Sequence, residues 1–232
     1  MELPTTKSAI TSKFTDQLTM IYGPPGVGKS TFCASIAGEG KDDQVLFLAT
    51  EKGHNHLSVY KMDINAWSDL APIYRQLKDK TKHNFKYLVI DTGDMLAEML
   101  AEDICKRNDP PVKDMNDVPW GKLHKALRKQ FNATIKAFRD LDLGVCVISH
   151  DDDNDEEEGG RKIKKTTSSL PYKLYKHFAN DCDLVFYHHT DEKGDRVLRT
   201  KSTSKIICKD RSGKLPEIMP ADFTEIKKCL SK

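Results

Sequence analysis

Eight consecutive residues, Gly23-Pro24-Pro25-Gly26-Val27-Gly28-Lys29-Ser30, satisfy the phosphate-binding pattern G-x-x-x-x-G-K-[ST] at every constrained position. The glycines let the backbone curl so that successive N–H groups point inward at phosphate oxygens, and the helix that follows sets the positive end of its dipole beneath the same anion. Lys29 then reaches the β- and γ-phosphates, and the Ser30 hydroxyl ligates Mg2+. Gly23 through Thr31 is therefore the candidate nucleotide-binding segment. No N-K-x-D base-reading motif is present, which favours ATP over GTP.

Two carboxylates and a histidine complete the candidate chemistry. Tyr87-Leu88-Val89-Ile90-Asp91 is an apolar run closed by an aspartate, the form of a buried strand that delivers Asp91 beside the phosphate loop to hold the magnesium water shell. Hydrolysis also needs a group to activate or orient water. Asp91 is followed by Thr92 and not by a glutamate, so that group is not adjacent to it. Glu51 closes the apolar run Val45–Ala49 and is the candidate base, against the alternative of a solvated loop glutamate. His150 closes Gly144–Ser149 and is placed either to donate to a phosphate oxygen or merely to cap its strand.

The elements that must carry these groups alternate. Apolar strands are expected at 18–22, 45–49, 87–91, 144–149 and 184–188 and a short strand of mixed composition at 58–64, with helices at 30–37, 67–80, 93–108, 120–141, 171–180 and 220–230. That order predicts an α/β fold built from right-handed βαβ units, a mostly parallel sheet flanked by helices, closed by an antiparallel strand near 196–201. The organisation expected is a lead-in at 1–16 and one domain over 17–232. Within it, 151–169 reads as a mobile charged loop, with seven acidic residues before Gly159-Gly160 and Arg161, Lys162, Lys164 and Lys165 after.

The chain has 232 residues with 37 Lys plus Arg against 35 Asp plus Glu, so any polyanion site must be local. No apolar run is long enough to span a membrane and the first residues lack the order of a signal peptide, so a cytoplasmic protein is expected. Six cysteines without a C-x-x-C pair read as reduced thiols, and His54, His56, His188 and His189 as surface or loop histidines.

Taken together, 22–31 (Tyr-Gly-Pro-Pro-Gly-Val-Gly-Lys-Ser-Thr), 46–53 (Leu-Phe-Leu-Ala-Thr-Glu-Lys-Gly), Val89-Ile90-Asp91-Thr92, Val147-Ile148-Ser149-His150 and Ala179 to Val185 resemble the phage-encoded RecA-like ATPases, over about residues 17–218. The resemblance implies a RecA-like fold, ATP with Mg2+, and phage DNA recombination by annealing or pairing single-stranded DNA. It also implies a single-strand-binding protein as partner and assembly of copies on the DNA. It places a DNA-contacting loop at 151–165, with Arg161, Lys162, Lys164 and Lys165 as possible phosphate contacts; the loop's acidic half opposes that role, and an idle solvated loop stays open. Tyr172 and Tyr175 stack bases or pack the helix, and Arg199 or Lys201 reaches a neighbouring subunit's γ-phosphate. A second function remains in view: a nucleotide-gated adaptor for a replication or packaging partner, with little hydrolysis of its own.

Overall fold

The computed structural model describes Leu3 and residues 13–38, 40–53, 56–158 and 161–231; most of the expected lead-in, and His54, lie outside them. In chain order the elements are β1 (Leu18–Gly23), α1 (Lys29–Ala34), β2 (Val45–Ala49), β3 (Tyr60–Asp63), α2 (Leu70–Leu77), β4 (Tyr87–Asp91), α3 (Gly93–Arg107), α4 (Lys122–Arg139), β5 (Gly144–Glu158), β6 (Arg161–Ser168), α5 (Tyr172–Asp181), β7 (Leu184–Thr190), β8 (Arg196–Arg199), β9 (Lys209–Asp210), β10 (Ile218–Pro220) and α6 (Phe223–Leu230). Six strands pair in parallel in the order β7-β1-β5-β4-β2-β3. Beyond β7 the sheet turns antiparallel through β8 and β10, with β9 also against β7. This is the expected α/β architecture with antiparallel strands on its C-terminal side.

The central strands are continuously apolar because both sheet faces are covered. Met20, Tyr22, Leu48, Ile90 and Val147 pack under the stripe of α4 (Leu123, Leu127, Phe131, Ile135, Phe138) and under α2, α3 and α5. Their strand neighbours Ile21, Phe47, Val89, Cys146 and Ile148 face α1 and α6. Phe32 of α1 stacks on Phe223 of α6 with ring centroids 4.1 Å apart, which fixes the last helix to the sheet.

Register sets what stands at the C-terminal edge. Ala49 pairs with Asp91, Asp91 with Ile148, and Gly23 with His150, so the ends of β2, β4, β5's sheet portion and β1 form one row. In open parallel sheets that edge is where ligands bind.

Three expectations are corrected. The loop placed at 151–169 is a hairpin: β5 continues past the sheet to Glu158 and pairs antiparallel with β6. Its register opposes Asp155 to Lys164, Glu157 to Lys162 and Glu158 to Arg161, so three acidic positions meet basic ones, while Asp151, Asp152 and Asp153 meet Ser168, Thr167 and Thr166 and Glu156 meets Ile163. Gly159-Gly160, outside the described residues, is the two-residue spacing a hairpin turn requires. The helix expected over 67–80 is a 3-10 turn, Trp67–Asp69, followed by α2. The helix expected from Trp120 begins at Lys122, because Trp120 and Gly121 both take positive φ (65° and 59°).

Candidate nucleotide site

The loop after β1 takes the backbone its glycines permit: φ is 77° at Gly26 and 101° at Gly28, in the left-handed region that disfavours a side chain. Gly23 is needed for a different reason, since a Cβ there would lie 2.0 Å from the carbonyl oxygen of His188 on β7. Lys29 is buried and donates from Nζ to the carbonyl oxygens of Gly23 (2.6 Å) and Pro24 (2.9 Å). Burial lowers its pKa, an effect opposed by the carboxylates of Asp151, Asp91, Asp94 and Glu51.

Ser30 Oγ donates to Asp91 Oδ2 at 2.6 Å, which brings together the two side chains assigned to magnesium. Among the described residues no cluster of three or more His, Cys, Asp or Glu could hold a metal. A hydroxyl and one carboxylate are the donor set that suits Mg2+, which keeps its remaining positions for water and substrate phosphates.

The ends of β2 and β4 are interlocked. Thr50 N donates to Asp91 O (2.9 Å), Thr92 N to Thr50 Oγ1 (2.7 Å), and Thr50 Oγ1 to Thr92 O (3.0 Å). Thr92 caps α3 by accepting from Met95 N (3.4 Å), and its Oγ1 donates to Glu51 Oε1 at 2.8 Å. Glu51 is thus a held group, and His150 Nε2 stands 3.7 Å from the same oxygen. Glu51, Asp91, Lys29, Ser30, Thr31 and His150 line one open cleft of about 350 Å³. Larger clefts of about 500 and 630 Å³ lie elsewhere, one at the opposite edge beside Leu18 and Arg139, the other beside β3 and α2.

A family model described as "AAA domain" matches residues 15–212. The chain belongs to the AAA domain family. It is accordingly a P-loop protein of the nucleotide-binding kind, and the match covers every residue of the cleft described above. No curated protein matches the chain. Among solved structures, the RadB recombinase is similar at 14% identity and a TM-score of 0.46, covering 79% of this chain and 79% of that one.

The base of the hairpin in this AAA domain is tied to the site through Asp94 at the start of α3. Asp94 accepts from Ser149 Oγ (2.9 Å), Ser169 Oγ (2.7 Å) and the His150 backbone N–H (3.1 Å), while Ser169 N donates to His150 O (3.0 Å). Nothing in the spacing of Asp94, Ser149 and Ser169 along the sequence signals this brace. Of the four cations assigned to DNA, Lys164 pairs with Asp153 at 2.9 Å, Lys165 lies opposite Asn154, and the side chains of Arg161 and Lys162 fall outside what is described. Tyr175 is buried in the core, which is the packing use of that residue.

Arg199 is engaged with Glu217 within its own chain (2.5 Å), and Lys201 is exposed beyond the end of β8. Motif reasoning missed Arg196, the first residue of β8, which lines the nucleotide cleft. It missed His188 as well: expected at the surface, that histidine is 1% exposed on β7, with its ring edge-on to Phe32 at 5.7 Å. The alternation Leu184, Phe186, His188 along the strand was the available signal. All six cysteines are free, and five are buried, as reduced structural thiols would be.

Proposed function

We propose that this protein is a RecA-like, Mg2+-dependent ATPase of phage DNA recombination that acts on single-stranded DNA. The observation that carries the reading is Glu51: a carboxylate at the end of the strand next to the Asp91 strand, held by Thr92 in the cleft that contains Lys29 and Ser30. The loop backbone and Lys29 bind the phosphates, and Ser30 and Asp91 hold Mg2+, which when bound offsets negative charge on the phosphate oxygens. Glu51 takes a proton from the attacking water as its oxygen bonds to the γ-phosphorus and the bond to the bridging oxygen breaks, releasing ADP and phosphate. Among the described residues the contacts of Glu51 with Thr92 and His150 are both to Oε1, which leaves Oε2 to accept that proton. His150 donates to the γ-phosphate and passes its position to the hairpin, whose basic strand contacts DNA phosphates, with further copies and a single-strand-binding protein assembling alongside.

The test is Mg-ATP hydrolysis with and without single-stranded DNA, beside Lys29→Ala and Glu51→Gln. DNA is expected to raise turnover, both variants to lose it, and Glu51→Gln to keep ATP binding. Tight ATP binding with turnover near zero, unchanged by DNA, would overturn the ATPase reading in favour of a nucleotide-gated adaptor.

A further inference from the structure

Sheet order divides the phosphate loop into two flanks. β1 carries the loop; β5, β4 and β2 lie in sequence on one side and bring His150, Asp91 and Glu51, whereas β7 and then β8 lie on the other. Arg196 opens β8, paired with Thr190 at the very end of β7. From there its side chain reaches over β7 to the loop: a Cβ built on Gly28 would lie 2.8 Å from Nη1 and 3.2 Å from Cζ. The second glycine of the motif and the guanidinium are therefore in contact.

Among the described residues Arg196 makes no ion pair, although Asp91 and Glu51 line the same cleft. Its backbone oxygen accepts from Ala221 N (3.1 Å), which anchors the residue without using the side chain. A planar group with five donors, laid against a phosphate-binding loop and left without a carboxylate, has the recognition chemistry of a phosphate anion. Its flank says which phosphate. The γ end of the nucleotide belongs to the side of Asp91 and Glu51, and loop N–H groups such as that of Gly28 cradle the α- and β-phosphates.

We infer that Arg196 acts in cis as a second cation of the nucleotide site, binding the diphosphate portion common to ATP and ADP. The inference rests on the nucleotide-binding reading and adds to it a residue, a flank and a phosphate assignment. It separates Arg196 from Arg199 and Lys201, whose proposed targets lie on a neighbouring subunit.

The test is the affinity of wild type, Arg196→Ala and Arg196→Lys for ADP, ATP and inorganic pyrophosphate in Mg2+, by titration calorimetry. Loss of one charge-assisted hydrogen-bond pair predicts roughly tenfold or greater weakening in Arg196→Ala, the same for ADP and ATP, and present for pyrophosphate, which has no base to bind. Arg196→Lys recovers part of the loss, since it keeps the charge without the fork. An unchanged unfolding midpoint without nucleotide is expected, because only the side chain is altered; should Arg196→Ala fail to fold, the same comparison is made with Arg196→Lys and Arg196→Gln. ADP affinity within twofold of wild type, or weakening confined to ATP, would overturn the assignment while leaving the nucleotide site intact. Absence of nucleotide binding by wild type would overturn the site reading and this inference with it.

Discussion

His188 makes the stability of this domain depend on pH in a window set by its surroundings. The ring is buried, neither ring nitrogen has a hydrogen-bond partner among the described residues, and burial together with the nearby cations Lys29 and Arg196 and with His189 lowers its pKa from 6.5 to about 4. The unfolded chain takes up a proton near 6.5 and the folded one resists it until about 4. Between those values the unfolded state binds more protons, so stability falls as pH falls. Above 6.5 the neutral ring is at no disadvantage. Between pH 7 and pH 5 the linkage removes about 2 kcal/mol, and the full difference corresponds to roughly 3 kcal/mol at lower pH.

The assay is urea unfolding at pH 7 and pH 5 for wild type and for His188→Leu, a replacement without a proton to gain. The variant is expected to lose about 2 kcal/mol less than wild type over the same interval, because every other titrating group is shared and cancels in the comparison. It is also expected to be no less stable than wild type at pH 7, since Leu leaves no buried nitrogen without a partner. Equal losses in both proteins would refute the reasoning and mean that His188 takes its proton in the folded state at ordinary pH.

Two further outcomes follow from contacts on either side of the sheet. Thr92→Val keeps the side chain's shape but removes its hydroxyl, and with it both the hydrogen bond to Glu51 and the long α3 cap bond from Met95 N, so steady-state kinetics are expected to show kcat reduced roughly tenfold with little change in KM for ATP; an unchanged kcat would remove Thr92 from the positioning of Glu51. Asp183 accepts from Arg139 (2.8 Å), Arg211 (2.7 Å) and Leu18 N (3.0 Å) with its side chain 13% exposed, so Asp183→Ala is expected to cost about 2–3 kcal/mol in a denaturant melt while leaving nucleotide affinity unchanged.

Different parts of this molecule were legible for different physical reasons. The phosphate loop announces itself because its glycines, lysine and serine act within one turn of chain. Asp91 and Glu51 could be placed because strands covered on both faces are continuously apolar, and the polar residues that close such a run stand at the sheet's edge. The hairpin at 151–168 was hidden because its strands leave the sheet: without a core face to bury, they carry no alternation of apolar residues. Only the complementary charges and the Gly-Gly between them remained as signal. Arg196 was invisible for another reason. It meets Gly28 only because β8, β7 and β1 are neighbours in the sheet, and that order is a property of the whole fold, not of any window of sequence.

The brace at Asp94 explains why a charged hairpin can stand on a nucleotide site without being independent of it. Ser149, Ser169 and the backbone of His150 all donate to one carboxylate, and Ser168 Oγ lies 2.6 Å from Ser149 Oγ while accepting from Leu170 N (3.2 Å). These groups are buried or half-buried, where an unmade hydrogen bond costs more than a made one contributes. The hairpin base therefore cannot shift along β5 without either breaking several such bonds together or carrying His150 with it. His150 in turn sits 3.7 Å from the carboxylate that Thr92 holds at the end of β2. Glu51, His150 and the hairpin base are thus joined through backbone and through one network of hydrogen bonds, with Asp94 as its common acceptor.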